Sequence, residues 1–113
     1  VSVRRAVVEA FTDARGDDLA RDRGLPVAAL FWAEWCLPSR SALESLATMA
    51  DTLDGRLALG AVDVEAAPRL VERHAVRGLP TMIVFAGGKE WARRVGLMAR
   101  DDLRQFLERA LSA

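Results

Sequence analysis

The amino-acid sequence predicts an α/β fold with a largely parallel sheet at its centre and helices on both faces. Short apolar runs alternate with amphipathic helical stretches along most of the chain, the pattern left by parallel strands joined through crossover helices. One run, Val27-Ala28-Ala29-Leu30-Phe31-Trp32, has no polar alternation, as a strand buried on both faces requires. Near the end, Gly87-Gly88 separates two further runs. Both glycines tolerate positive φ and suit a tight hairpin, which adds an antiparallel edge.

The elements follow in order. Val3 to Phe11 is apolar with Arg4, Arg5 and Glu9 interspersed; an edge strand or a short helix is open, and the β-branched valines favour the strand. Asp13 to Arg23 reads as a short helix, with Asp17 and Asp18 early, Arg21 and Arg23 late, and Gly24 at its stop. Pro26 opens the buried strand. A helix follows with Leu43, Leu46, Ala47, Ala50 and Leu53 at helical spacing, ended by Asp54-Gly55. Leu57 to Val64 is the next strand. Pro68 begins a helix carrying Leu70, Val71 and Ala75, broken by Gly78-Leu79-Pro80. Thr81 to Phe85 and Trp91 to Val95 are the hairpin strands, with Gly96 at the end of the second. Arg100 to Leu111 is a terminal amphipathic helix with Leu103, Phe106, Leu107 and Leu111 on one side. The expected order is β-α-β-α-β-α-β-β-α.

The 113 residues fit one domain, 1–113. Hydrophobic residues at 51% and charged residues at 28% are ordinary for a globular chain. Sixteen basic residues balance sixteen acidic ones, which argues against a strongly electrostatic nucleic-acid or membrane-surface binder. A single cysteine, Cys36, excludes an internal disulfide, and with one histidine it excludes the usual thiolate-imidazole zinc site. No metal or other cofactor is expected. The longest apolar stretch, Leu25 to Trp35, is too short to span a bilayer and carries Glu34. Val1-Ser2-Val3-Arg4-Arg5 does not form a signal peptide. A cytoplasmic protein is expected, or a mature form whose targeting segment has been removed.

Cys36 stands where the buried strand hands over to a helix. There it meets unpaired backbone N–H groups and the positive end of the helix dipole, which favour the nucleophilic thiolate. Pro38 fits the first helical turn, where its missing N–H costs nothing. Ser39, about one turn on, could donate its hydroxyl or N–H to the Cys36 sulfur. By position alone Cys36 could equally be a small buried hydrophobe; its neighbours argue otherwise.

Phe31-Trp32-Ala33-Glu34-Trp35-Cys36-Leu37-Pro38-Ser39-Arg40 resembles the active-site segment of the thioredoxin family, where a Trp-Cys-Gly-Pro-Cys run is the pattern. Val76-Arg77-Gly78-Leu79-Pro80-Thr81 resembles that family's cis-proline loop, and Val95-Gly96 resembles its glycine beside the substrate groove. The likeness extends from about Val7 to Leu111. It implies a thioredoxin fold, a central mixed sheet of four to five strands flanked by four helices, with Pro80 cis and lying against Cys36.

The departures bear on function. The resolving cysteine of the family is Ser39 here. The position resembling its buried aspartate is Leu30, and the one resembling that acid's lysine partner is Ala61. Without a resolving cysteine the buried acid has nothing to activate, and an unpaired buried carboxylate is costly, so the losses agree. Leu37 replaces the usual glycine, and Glu44 falls where the family often has a helix-kinking proline, which predicts a straighter helix.

Only the first step of a dithiol reductase therefore has its residue. Cys36 could attack a protein disulfide and return it rearranged, as an isomerase does, or accept a glutathionyl group that free glutathione removes. The partners expected are protein disulfides or glutathionylated proteins, with an external thiol such as glutathione or a reductase, and neither nucleic acid nor membrane. Cys36 would be the nucleophile and Ser39 its hydrogen-bond donor. Trp35, Leu37, Pro38, Gly78, Leu79, Pro80, Thr81 and Gly96 would form the substrate surface. Two alternatives stand beside this one. The chain could be a redox-inactive binding module whose groove docks a peptide as an added strand. It could also be a resolving Cys-to-Ser trapping variant of a dithiol reductase, against which Leu30 and Ala61 argue, because a single substitution would not remove them.

Other signals point to ordinary roles. His74 reads as a surface histidine rather than a proton shuttle, and Asp63 with Glu65 as a solvated strand end. Glu34, Arg93, Arg94, Arg100 and Arg104 read as solvated faces. Trp32 is expected beneath the active site and Trp35 beside the thiol. Trp91 carries no functional claim, and Met49, Met82 and Met98 read as core or groove filling.

Overall fold

A computed structural model describes residues 8–14, 24–53 and 56–112 of the chain. Five strands form one sheet: β1 (Glu9–Ala10), β2 (Val27–Trp32), β3 (Ala58–Asp63), β4 (Thr81–Ala86) and β5 (Lys89–Val95), in the order β1-β3-β2-β4-β5. Among the described residues the helices are α1 (Leu37–Leu53), α2 (Pro68–Arg73) and α3 (Arg100–Ser112). The helix expected over Asp13–Arg23 lies, beyond residues 13–14, outside the described residues. Of the segment expected over Val3–Phe11, residues 3–7 also lie outside the described residues, and Glu9–Ala10 form β1.

The alternation of side chains along β2 divides the core. Ala28 and Leu30 face a cluster under α1 and α3, with Leu46, Met49, Leu53, Met82, Val84, Leu103 and Leu107. Val27, Ala29 and Phe31 face a second cluster with Phe11, Val62, Leu70, Ile83 and Phe85, closed by α2. Burying each large apolar side chain of this kind contributes roughly 1.5–3 kcal/mol, so β2, buried on both faces, is the strand around which the sheet assembles. Gly60 on β3 serves the second cluster. A Cβ there would overlap the Phe11 ring, so only glycine lets the ring lie flat on the strand.

The sheet departs from the expected parallel core. β1 and β2 both pair parallel with β3, but β4 pairs antiparallel with β2 as well as with β5. The antiparallel half therefore begins at the centre of the sheet, not at a closing edge. The reason is length. Six residues of helix rise about 9 Å, against roughly 20 Å for a six-residue strand, so α2 is too short to carry the chain back to the start of β2. The chain turns instead at the end where β2 finishes, and β4 runs the other way. α2 also ends earlier than Gly78, at Arg73, with His74 as its cap and Ala75 at a φ of 52°.

The α2 N-terminus is capped from a distance. Ala67, its N-cap residue, offers no side-chain acceptor; the Asp13 carboxylate instead accepts the N–H groups of Arg69 (3.1 Å) and Leu70 (3.0 Å). This satisfies two of the donors that a helix start leaves unpaired. Within the hairpin, the turn at Gly87-Gly88 has both residues at positive φ (61° and 79°), and a bulge between Val84 and Phe85 shifts the register.

Candidate active site

Four segments meet at the end where β2 stops. β2 runs into a turn from Ala33 to Cys36, closed by the Cys36 N–H donating to the Ala33 carbonyl (3.1 Å), and α1 starts at the next residue. β3 leaves the sheet beside it, with the Val64 N–H donating to the Trp32 carbonyl (3.0 Å). The chain reaches β4 through Val76–Pro80. β5 ends here too, where the Gly96 N–H donates to the Pro80 carbonyl (2.8 Å). The Leu79–Pro80 peptide is cis.

Cys36 is half-buried and its side chain lies in a groove of about 380 Å3. Trp35 flanks it. Val64, Val71 and Val76 supply the apolar floor, and Arg77, Gly78 and Leu79 form the opposite rim. Large apolar side chains stand open to solvent here: Trp35 (66% exposed) in the groove lining, Leu37 (67%) next to Cys36 in the chain, and Val95 (64%). Val95 belongs with the groove because a Cβ on Gly78 would meet its Cγ1 at 3.0 Å. A nucleophile at a helix start, inside an apolar groove with an exposed apolar rim, suits attack on a disulfide presented by an extended, partly apolar chain.

Ser39 does not do what its spacing suggested. It is fully buried. Its Oγ accepts the Ala33 N–H (3.0 Å), and its single proton faces the carbonyls of Ala33 (2.9 Å) and Cys36 (2.8 Å). The hydroxyl is committed to backbone, not to the Cys36 sulfur. Burial decides this: inside the turn the peptide groups have no water, and an unpaired buried polar group costs about 1–3 kcal/mol. Ser39 therefore braces the turn that presents Cys36.

Thr81 is the second correction. It is buried at 1% exposure, and its hydroxyl donates to the Gly78 carbonyl at 2.6 Å. It holds the rim from behind and offers nothing to the groove. Pro80 is buried as well, and the exposed Pro38 sits in the first turn of α1. Gly78 and Leu79 line the groove; Gly96 meets it through its bond to Pro80.

Leu30 and Ala61, the positions that resemble an acid and its lysine partner, are register partners across β2 and β3. Leu30 is 2% exposed. The two apolar residues sit side by side, so the paired loss is one local change in the core. α1 runs unbroken through Glu44.

His74 is not simply a surface residue. Its ring packs edge-on against Phe85 (5.1 Å between centroids) and Phe31 (6.3 Å), and its Nε2 is buried without a hydrogen-bond partner. Burial, then the neighbouring Arg73 cation, lower its pKa below 6.5, with Glu90 opposing and Arg93 adding to the fall. Arg93 donates to the His74 carbonyl (2.8 Å) and is gripped by the Glu90 carboxylate (2.6 Å). That hydrogen bond holds Glu90 below the usual carboxylate range. Asp63 forms a local turn by accepting the Glu65 N–H (3.0 Å). Trp32 packs against the α1-side core, and Trp91 lies 6.0 Å from Phe106.

Val64, Val71, Val76, Arg77 and Val95 were not singled out for the groove from sequence. Periodicity marks the valines as core or strand residues, and only the turn between α2 and β4 brings them to Cys36. Among the described residues, no three His, Cys, Asp or Glu side chains gather where they could hold a metal ion, and no helix is long and apolar enough to cross a membrane. A larger hollow of about 450 Å3, between Trp91 and the last turns of α3, has no thiol in its lining; the one cysteine lines the smaller groove.

Comparison with known proteins agrees with this geometry. A family model described as Thioredoxin matches residues 8–109. Thioredoxin 1 of Chlorobaculum tepidum is 35% identical over 95 residues, which cover 84% of this chain and 94% of that one. Thioredoxin of Acidithiobacillus ferridurans is 35% identical over 86 residues, covering 76% and 80%. Among solved structures, the thioredoxin Mala s 13 of Malassezia sympodialis superposes with a TM-score of 0.86 over 98% of this chain and 96% of its own, at 21% identity; that likeness concerns the fold.

Proposed function

The chain belongs to the thioredoxin family, a family of thiol-disulfide redox proteins, and on that premise we propose that Cys36 carries out exchange alone, as a monothiol. The Cys36 thiolate attacks one sulfur of a target disulfide. The target S–S bond breaks, a mixed disulfide forms, and the departing sulfur leaves as a thiolate that takes up a proton. No second thiol exists in the chain to displace the target. A thiol of the target can attack the mixed disulfide, which returns Cys36 and leaves a rearranged target disulfide with no net redox change. With a glutathionylated protein, Cys36 takes the glutathionyl group and frees the protein thiol. Glutathione then attacks, releasing oxidised glutathione and Cys36.

The observation that carries this reading is the placing of the only cysteine, half-buried in the apolar groove at the start of α1, while Ser39 is turned inward to the backbone. Trp35, Leu37, Pro38, Gly78, Leu79, Pro80 and Gly96 shape the surface that receives the target. The cytoplasm suits the chemistry, since its glutathione pool supplies the external thiol.

The test is mass spectrometry of the reduced chain mixed with a small disulfide-bonded protein or with a glutathionylated one. Two adducts are expected: a Cys36 mixed disulfide with the protein target, caught by rapid acid quenching, and a Cys36-glutathionyl adduct that persists until glutathione is added and is then cleared. Absence of any adduct at Cys36, with the fold intact, would overturn the exchange reading in favour of a binding module.

A further inference from the structure

Every side chain along the groove is apolar or the thiol itself, with one exception. Arg77, on the rim beside Gly78, lines the groove and is exposed. Three arginines of the molecule are tied down, Arg56 to Glu108 (3.1 Å), Arg93 to Glu90 (2.6 Å) and Arg94 over the Phe106 ring (5.1 Å), and none of these lines the groove. Arg77 has no ion pair or hydrogen bond among the described residues. Glu34, the acid of the Cys36 turn, is exposed and does not line the groove.

A cation left unpartnered at the edge of an otherwise apolar groove is a selectivity element. Burying the apolar part of a target against Val64, Val71, Val76 and Leu79 is indifferent to charge. A carboxylate brought next to Arg77 gains a charge-assisted hydrogen bond, and a second cation there is repelled.

We propose that Arg77 makes this groove select disulfide targets that carry an acidic side chain close to the attacked cysteine on an extended, otherwise apolar segment. The proposal rests on the exchange reading for where the target lies. Its own content is the chemistry of the target's flank.

The experiment uses two synthetic peptides that differ only in a Glu or a Gln flanking one cysteine, each as a mixed disulfide with a small neutral thiol. Matching forms with serine in place of the cysteine report binding alone, through Trp35 fluorescence. The acidic peptide is expected to form the mixed disulfide with Cys36, and its serine form to bind, about two- to five-fold better than the neutral one, the range for one exposed charge pair. The preference, read as the ratio of the two peptides' rates within each variant, should shrink with added salt, vanish in Arg77→Gln and largely survive in Arg77→Lys. Arg77 is exposed, so these variants should keep their melting temperature. Equal capture of both peptides by the unaltered chain would overturn the role of Arg77 and leave exchange standing. Preferential binding of the acidic serine peptide without covalent capture would overturn exchange and leave the role of Arg77. Neither binding nor capture of either peptide overturns both.

Discussion

Cys36 and Ser39 stand about one helical turn apart at the start of α1, and their side chains meet opposite surroundings. The first is half-buried in a groove with an exposed apolar rim. The second is fully buried, with its oxygen within 3.0 Å of three backbone atoms. A motif that in a dithiol protein would hold two partners in one reaction is here divided between chemistry and construction. The division is physical rather than a matter of spacing: a small polar group inside a turn is claimed by the peptide groups around it, whereas a group at the mouth of the turn remains free to react.

The largest effect should come from removing the reactive half. Cys36→Ala is expected to abolish mixed-disulfide formation entirely while leaving the melting temperature close to that of the parent, because it removes a single sulfur atom that lines an open groove. Thermal unfolding alongside the adduct assay checks both statements. Residual adduct in this variant would mean that the chemistry lies elsewhere.

Converting the structural half into a reactive one is the next test. Ser39→Cys restores a second thiol one turn away. A target held on Cys36 should then leave by intramolecular attack, shortening the lifetime of the mixed disulfide by about ten-fold or more in the absence of external thiol, as tethered reactants allow. The larger sulfur cannot reproduce three short oxygen contacts, so some stability should be lost as well. If the lifetime is unchanged, position 39 is too firmly bound into the turn to act even as a thiol.

Ser39→Ala separates construction from chemistry. The Ala33 N–H loses its acceptor in a buried place, while the Ala33 and Cys36 carbonyls keep the N–H groups of Cys36 and Arg40; the unpaired N–H should cost about 1–3 kcal/mol in urea unfolding. Exchange should persist, with a rate altered far less than in Cys36→Ala. Loss of exchange with stability unchanged would restore Ser39 to the reactive half.

This contrast also marks what a linear reading can reach. The double-sided burial of Val27–Trp32, the hairpin at Gly87-Gly88 and the meeting of three motifs at one end were legible, since each depends on residues close in sequence or on a known resemblance. The bonds of Ser39 were not, because a hydroxyl one turn from a sulfur can serve either the sulfur or the backbone, and only burial chooses. Nor was the direction of β4, which follows from the shortness of α2, nor the Asp13 cap, which joins residues 56 and 57 positions apart. Arg77 and Val95 stand inside two of the motifs that carry the resemblance, but that they stand at the groove follows only from the chain turn after α2.

His74 supplies the smallest effect and the reverse case of Ser39: a buried polar atom near the same groove whose partner is missing. Its lowered pKa, from burial first and Arg73 second, makes the neutral ring the form the fold accepts. Between the folded value and the unfolded one near 6.5, the unfolded chain holds more protons, so stability rises with pH across that window. The contribution is complete above about 6.5 and is lost as pH falls through the folded value. Melting temperature should therefore drop modestly from about pH 7.5 to about pH 5, a range above the one in which Glu90 releases Arg93. His74→Leu, which keeps apolar contact with Phe31 and Phe85 but cannot titrate, should flatten the slope. An unchanged slope would show that the ring finds a proton acceptor on acidification, and that the buried nitrogen costs the fold nothing there. A flattened slope would set His74 against Ser39 as the unsatisfied member of the pair, on the very turn that brings Val76 to Leu79 to the thiol.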